Sequence, residues 1–327
     1  MTRIVVTGAS GFVGRATTAA LAARGVEVVA LLRRPDRTIG QASEWLHPAA
    51  DFAGLGEPAR PFPDGVDAVI HAAARVHVMR EAASEAAEAA FVATNVAGSL
   101  RVARAARERG ARRFVFVSSI KAVAERDHGE PLDERTPPAP EDAYGRSKLQ
   151  AELALREYGA STGMEIVIVR PPLVYGAGVR ANFMSMMRAV ARGLPLPLGA
   201  ITARRSLVHV GNLADALALC ALDARAAGAA GERCFHVADA GSLTVSELLR
   251  AIGRHLGRPA RLLPVPVPVL RALGRATGRG AQIDRLTQNL RVSHAALADA
   301  LDWQPPISTD EGLAATARWY RSTTKHE

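Results

Sequence analysis

The chain has 327 residues, with 41 lysines and arginines against 32 acidic residues, a formal charge of +9. Nearly half the residues are apolar and about a fifth are charged. That balance suits a globular chain long enough to bury one large α/β unit and a smaller lobe. The basic excess is almost all arginine and is spread along the chain, lysine occurring only at 121, 148 and 325, and aromatic residues are scarce. This argues against a nucleic-acid-binding stripe. The charge reads either as attraction for an anionic small molecule, such as a nucleotide diphosphate, or as a compositional preference for arginine.

No apolar run approaches the roughly 18 residues of a membrane span, and the opening Met-Thr-Arg-Ile-Val-Val-Thr-Gly lacks a signal-peptide layout. A cytoplasmic protein without membrane insertion is expected. Cys220 and Cys234 lie far apart without Cys-x-x-Cys spacing, as reduced structural thiols do. The nine histidines lack metal-ligand spacing, so no metal site is expected.

In chain order, Arg3 to Thr7 is a short β-rich run ending in glycines. Phe12 to Arg24 has helical spacing and closes on Gly25. Glu27 to Leu32, Ala68 to His71, Phe114 to Ser118 and Glu165 to Arg170 are further apolar strands. An alanine-rich helix over Glu81 to Glu108 and another over Glu141 to Ser161 separate the later ones. Apolar strands alternating with helices predict an α/β fold: a Rossmann-type, doubly wound parallel sheet covered on both faces. After Pro171 prolines and glycines become frequent. The predicted division is a dinucleotide-binding domain over 1–170 and a substrate-binding lobe over 171–327, with some segments returning to the sheet.

Gly8-Ala-Ser10-Gly11-Phe12-Val13-Gly14 follows the first strand and opens the first helix. Glycines there let the backbone approach a pyrophosphate, and the helix N-terminus supplies free N–H groups. An NAD site usually ends its second strand with an acid for the ribose 2′-OH. Here Leu32 is followed by Arg33 and Arg34, so the expected cofactor is NAD(P), leaning to NADP(H), with Arg33 toward a 2′-phosphate. Asp51, with Phe52 beside it, is a candidate adenine contact at the end of a third strand.

Tyr144 and Lys148 are spaced i, i+4 near the start of a helix, which puts phenol and ammonium on one face. A free phenol titrates near 10, and a nearby cation is expected to lower that value. Tyr144 would then exchange the proton of an alcohol as hydride moves. Ser118-Ser119, at a strand end, would place a hydroxyl beside the same oxygen.

With the glycine loop, Ser-Ser and Tyr-x-x-x-Lys in that order, the chain resembles the extended short-chain dehydrogenases/reductases, and within them the NAD-dependent epimerase/dehydratase group acting on nucleotide sugars. The closing Leu301-Asp-Trp-Gln-Pro-Pro306 is similar to that group's Leu-Gly-Trp-x-Pro. The resemblance implies Ser119 as catalytic hydroxyl, Tyr144 as proton donor or acceptor, and Lys148 as a further contact to the nicotinamide ribose. It implies Asn95 as a buttress, and His71, Ala72, Ala73, Ala74 and Pro171 along the cofactor. Asn182, Leu198 and Arg205 fall on the substrate side, Arg205 matching a diphosphate clamp whose fork suits that task. Homodimerisation through the two long helices is implied likewise.

Departures narrow the activity. Ile120 and Lys121 stand where dehydratases carry Asp-Glu, which disfavours dehydration. Leu32 and Leu173 replace residues typical of UDP-glucose 4-epimerases. The whole pattern, including His71-Ala-Ala-Ala-Arg-Val-His77 and Ala143 to Leu149, resembles a subgroup often labelled UDP-glucose 4-epimerase. That subgroup includes reductases of UDP-4-keto-6-deoxy-N-acetylhexosamines serving surface-polysaccharide synthesis. The sequence therefore leads to a UDP-linked ketosugar reductase. A UDP-sugar 4-epimerase is the alternative, and a non-catalytic NADP sensor or a non-sugar reductase is more distant.

Overall fold

A computed structural model describes residues 1–40, 42–76, 85–228 and 231–324. Seven strands form one sheet: β1 (Arg3–Thr7), β2 (Glu27–Leu32), β3 (Ser43–Leu46), β4 (Ala68–His71), β5 (Arg113–Val117), β6 (Glu165–Arg170) and β10 (Glu232–His236). Their order is β10-β6-β5-β4-β1-β2-β3, every pairing parallel. Strands β1 to β3 step one way from the centre and β4 onward the other. The chain therefore reverses between β1 and β4, and the C-terminal ends of those strands flank the crevice where such sheets bind ligands.

The apolar runs explain why the strands are central. Ile4, Val6, Val28, Ala30, Ile70, Val115 and Val167 point to one face, where α1 (Phe12–Ala22) and a later helix, α6 (Val210–Leu222), cover them. Val5, Val29, Val69, Phe114, Phe116, Ile166 and Ile168 point to the other. Two helices cover that face: α3 (Gly98–Glu108) through Val102 and Ala106, and α4 (Ala143–Thr162) through Ala151 and Leu155. Alternate residues thus serve opposite apolar cores.

The helix predicted over Glu81 to Glu108 is interrupted. Glu81–Ser84 and His77 lie outside the described residues. From there α2 (Glu85–Phe91) runs into a π-helical turn over Val92–Ala97 before α3 begins.

Beyond β6 come β7 (Leu173–Tyr175), α5 (Ala181–Ala191), β8 (Arg204–Arg205), β9 (Leu207–His209) and α6. After β10 follow β11 (Leu243–Thr244), α7 (Val245–Leu256), α8 (Val267–Ala276), α9 (Gly280–Thr287), α10 (Ala295–Leu301) and α11 (Thr309–Thr324). A separate core of Tyr175, Phe183, Met187, Leu207, Leu249 and Leu313 joins α5, α7 and α11. Helix α7 starts on a capping box between Thr244 and Glu247. Among the described residues no helix is long and apolar enough to cross a membrane.

Candidate active site

The glycine turn sits at the C-terminal end of β1 and against that of β4. Gly8 has φ +66°, a left-handed conformation that suits glycine, and a Cβ there would stand 2.8 Å from the Ala73 nitrogen. Gly11 donates to the Gly8 carbonyl at 2.8 Å and caps α1. Phe12 and Val13 open that helix half-buried, and Ser10 stays exposed. A Cβ on Gly14 would lie 2.1 Å from the Gly8 oxygen. The turn is therefore tight enough to leave the helix N-terminus bare, the form of a pyrophosphate cradle.

His71, at the end of β4, is buried between the Thr7 hydroxyl (2.8 Å) and that of Ser99 (3.0 Å). Burial lowers its pKa to about 3, so it is a neutral brace. The Ala73 amide donates to the Thr7 hydroxyl at 3.2 Å and the Ala72 amide to the Thr7 carbonyl at 3.3 Å, which ties β4's exit to β1's; Ala74 follows, half-buried.

Asn95 lies in the π turn and is buried. Its side chain accepts from the Arg75 amide (2.8 Å), donates to the Arg75 carbonyl (3.0 Å) and donates to Ser147 Oγ on α4 (3.0 Å). The irregular turn thus joins the strand exit to the helix carrying Tyr144 and Lys148, a common place for π bulges.

Ser119 follows β5, and its hydroxyl lies near enough to the Tyr144 phenol to favour the phenolate and draw its pKa down. Burial and the Asp142 charge outweigh that and push it up to about 12. This corrects the expected effect of Lys148. The ammonium is itself stripped of water, which brings its pKa down to about 7. It finds no hydrogen-bond partner among the described residues and sits 4.2 Å over the Phe116 ring. Spacing brought the two groups onto one helix face, yet desolvation decides both pKa values. Pro171 closes the loop from behind, its carbonyl accepting the Ile120 amide at 2.9 Å.

The remaining candidates lie further out. Arg33 is exposed just past β2. Asp36, which sequence reading passed over, accepts from Arg15 at 2.5 Å and from Thr38 at 2.6 Å, and Arg15 also reaches the Ser10 carbonyl at 2.9 Å. The Thr38 hydroxyl holds the Asp36 carboxyl below the usual range. Asp51 does not end the third strand as expected: β3 stops at Leu46, the His47 amide makes a last bond to the Leu32 carbonyl at 2.7 Å, and Pro48, which has no N–H to donate, follows; Asp51 pairs with Arg101 at 2.9 Å. Phe52 is buried at φ 58°, its ring 5.7 Å from that of His71. Asn182 is exposed in the first turn of α5, and Leu198 gives its carbonyl to Ser246 at 2.8 Å. Arg205 donates to the carbonyls of Arg285 (2.6 Å) and Gln288 (3.3 Å), which fixes its direction toward α9.

Sequence reading also missed a buried cluster under the site. Glu152 of α4 accepts from Arg170 at 2.5 and 3.0 Å and from the Ser118 hydroxyl at 2.5 Å. Its charge acts on Lys148 from one turn away, favouring the ammonium.

Two features meet the requirements of a dinucleotide. The close-set glycines leave a helix end that side chains would fill, and an orphaned buried ammonium lies beside a phenol. Both fit NAD(P): the glycine turn would hold its pyrophosphate and Lys148 its nicotinamide ribose. Fold and site together define a dinucleotide-dependent enzyme of the Rossmann class.

The chain belongs to the NAD dependent epimerase/dehydratase family, whose model matches residues 4–237. It is similar to the UDP-glucose 4-epimerase of Vibrio cholerae, 35% identical over 317 residues, covering 96% of this chain and 94% of that one. It is 29% identical to the GDP-6-deoxy-D-mannose reductase of Pseudomonas aeruginosa over 335 residues, 99% of each chain. Among solved structures, RMD from Pseudomonas aeruginosa complexed with NADPH superposes with a TM-score of 0.74 at 25% identity, over 98% of this chain and all of that one.

Proposed function

We propose that the chain is an NAD(P)-dependent oxidoreductase acting at C4 of a nucleotide-diphosphate sugar. The reaction is the reduction of a UDP-4-keto-6-deoxy-N-acetylhexosamine to the alcohol, in surface-polysaccharide synthesis, with NADP(H) preferred. The observation that carries it is the buried Tyr144 phenol, beside the Ser119 hydroxyl and set one helical turn from the buried ammonium of Lys148, which has no hydrogen-bond partner among the described residues.

A bound reduced dinucleotide, held by the glycine turn and Lys148, would supply the hydride that the carbonyl carbon needs. Tyr144 donates its proton to the carbonyl oxygen as the C–O π bond closes onto it, so ketone, hydride and proton become alcohol. A phenol pushed up to about 12 is mostly protonated at neutral pH, the form a proton donor needs. Ser119 donates a hydrogen bond to the same oxygen. Lys148 stabilises the phenolate left behind, at a site where burial magnifies its charge. Asn95 keeps α4 at its place against the strand exit. Arg205 and Asn182 hold the diphosphate, with Leu198 beside the nucleoside. Arg33, exposed past β2, favours a 2′-phosphate, and Asp36 is engaged by Arg15 and Thr38. Ile120 and Lys121 offer no carboxylate for dehydration.

Purified protein mixed with the ketosugar and NADPH should deplete absorbance at 340 nm; no turnover with either reduced cofactor removes the reading. A UDP-sugar 4-epimerase is the second reading, favoured by the similarity to the Vibrio cholerae protein. It predicts interconversion of UDP-glucose and UDP-galactose, or their N-acetyl forms, without net cofactor consumption.

A further inference from the structure

Lys121 stands two residues past Ser119, and its side chain reaches across the start of α4. Its ammonium lies 2.5 Å from Asp142 Oδ2 and 2.9 Å from Glu125 Oε1. Asp142 is the N-cap of α4, its other oxygen accepting the Gly145 amide at 2.7 Å. The Lys121 amide donates to Ser119 Oγ at 3.2 Å. The Lys121 carbonyl packs so closely on Gly145 that a Cβ there would lie 2.3 Å from its oxygen. Glu125 is held from beyond by Arg285 of α9 at 2.7 Å. One residue thus touches both the catalytic serine and the cap of the helix that carries the tyrosine.

A surface ion pair is worth little, but this one is partly enclosed. The Glu125 and Asp142 side chains are 10% and 23% exposed. Removing one partner would leave a carboxylate short of both water and cation. Asp142 is also two residues from Tyr144, where its charge opposes phenolate formation.

We propose that Lys121 is a positioning residue for the proton-transfer pair, holding Ser119 and the Tyr144 end of α4 in one frame by neutralising the Asp142 cap. The proposal rests on Tyr144 being the proton donor. The charged groups around this corner are Asp142, Glu125 with Arg285 behind it, Asp284 of α9, Arg205, which interacts with Glu125, Lys148 on α4 itself, the Arg126–Glu141 pair, and Glu88 of α2, which pairs with Arg146.

The test uses K121M, K121R, D142N and the K121M/D142N double variant, Asn keeping a capping oxygen. The first readout is tyrosinate absorbance of the holoenzyme with oxidised dinucleotide bound, each protein minus its Tyr144→Phe counterpart. It gives the Tyr144 midpoint without any sugar. K121M should raise that midpoint by about one unit and D142N lower it by about as much, since one removes a cation and the other an anion. The double variant should fall between them, and K121R should keep the parent value. The second readout is the pH profile of kcat, whose basic limb should move the same two ways with KM for the sugar unchanged.

Midpoints that move in one direction for K121M and D142N, or stay fixed while Tm falls, overturn the proposal. If no nucleotide sugar is turned over, the activity reading fails, and the absorbance midpoints alone decide the role of Lys121. Should K121M not fold, an unmoved midpoint in D142N overturns it and a lowered one with K121R unchanged supports it.

Discussion

Gly14 and Gly8 are locked together: a Cβ on Gly14 would stand 2.1 Å from the Gly8 carbonyl oxygen, against backbone that has no room to move. The first turn of α1 and the exit of β1 are therefore one rigid piece. Gly14→Ala should lower Tm, by an overpacking cost of about 1–3 kcal/mol, and weaken NADPH binding together with it. Thermal melting and fluorescence titration of bound NADPH check both, and an unchanged Tm with unchanged affinity would contradict the packing argument.

Lys148 makes stability depend on pH. Its folded pKa lies near 7 against 10.5 for a free lysine, so between those values the unfolded chain binds the extra proton. Stability should therefore rise as pH climbs from about 7 toward 10.5 and gain nothing from this group below 7. Lys148→Met replaces an orphaned ammonium over Phe116 with an apolar chain. The variant should be as stable as the parent or more so at neutral pH, while losing the pH-dependent gain and binding dinucleotide more weakly. Urea melts at several pH values measure this, and a parent whose stability is flat over that window would refute it.

The Glu152–Arg170 pair is all but sealed, with side chains 0% and 3% exposed. Arg170→Met should cost about 3–5 kcal/mol by leaving the carboxylate unpaired, whereas Arg170→Met combined with Glu152→Gln should recover part of that loss. Equilibrium unfolding of the two variants gives the comparison; equal losses would show that the pair is not coupled.

Arg205 is aimed by the carbonyls of Arg285 and Gln288. Removing its fork as Arg205→Met should raise KM for the nucleotide sugar about 10- to 100-fold, the loss of a charge-assisted contact of about 1.5–3 kcal/mol. It should leave NADPH affinity unchanged. A loss in kcat at constant KM would place this arginine elsewhere in the reaction.

Much of the sheet was legible because β1, β2, β4, β5 and β6 are continuous apolar runs. Two strands were not. In β10 only Phe235 and His236 are buried, and β3 is an exposed edge strand whose Trp45 alone is half-buried, so neither shows the apolar run that marked the others. The π-helical turn within the predicted helix over Glu81 to Glu108 carries Asn95, which bonds Arg75 twenty residues away, a contact that periodicity does not register. The glycine turn and the Tyr144, Lys148 and Ser119 set stood out because unusual residue types fall at fixed intervals. The upward shift of the Tyr144 phenol did not, since it comes from lost water rather than spacing. The Lys121–Asp142 contact spans twenty-one positions of irregular chain and exists only once α4 is docked.

Reduction as proposed needs the phenol of Tyr144 to give up its proton beside the bound dinucleotide. Its most direct test is NADPH oxidation at 340 nm with a UDP-4-keto-6-deoxy-N-acetylhexosamine, parent against Tyr144→Phe at matched Tm and matched NADPH affinity. The proposed role of Tyr144 requires turnover in the parent and a fall of at least about 100-fold in the variant. Equal rates in the two proteins would contradict it.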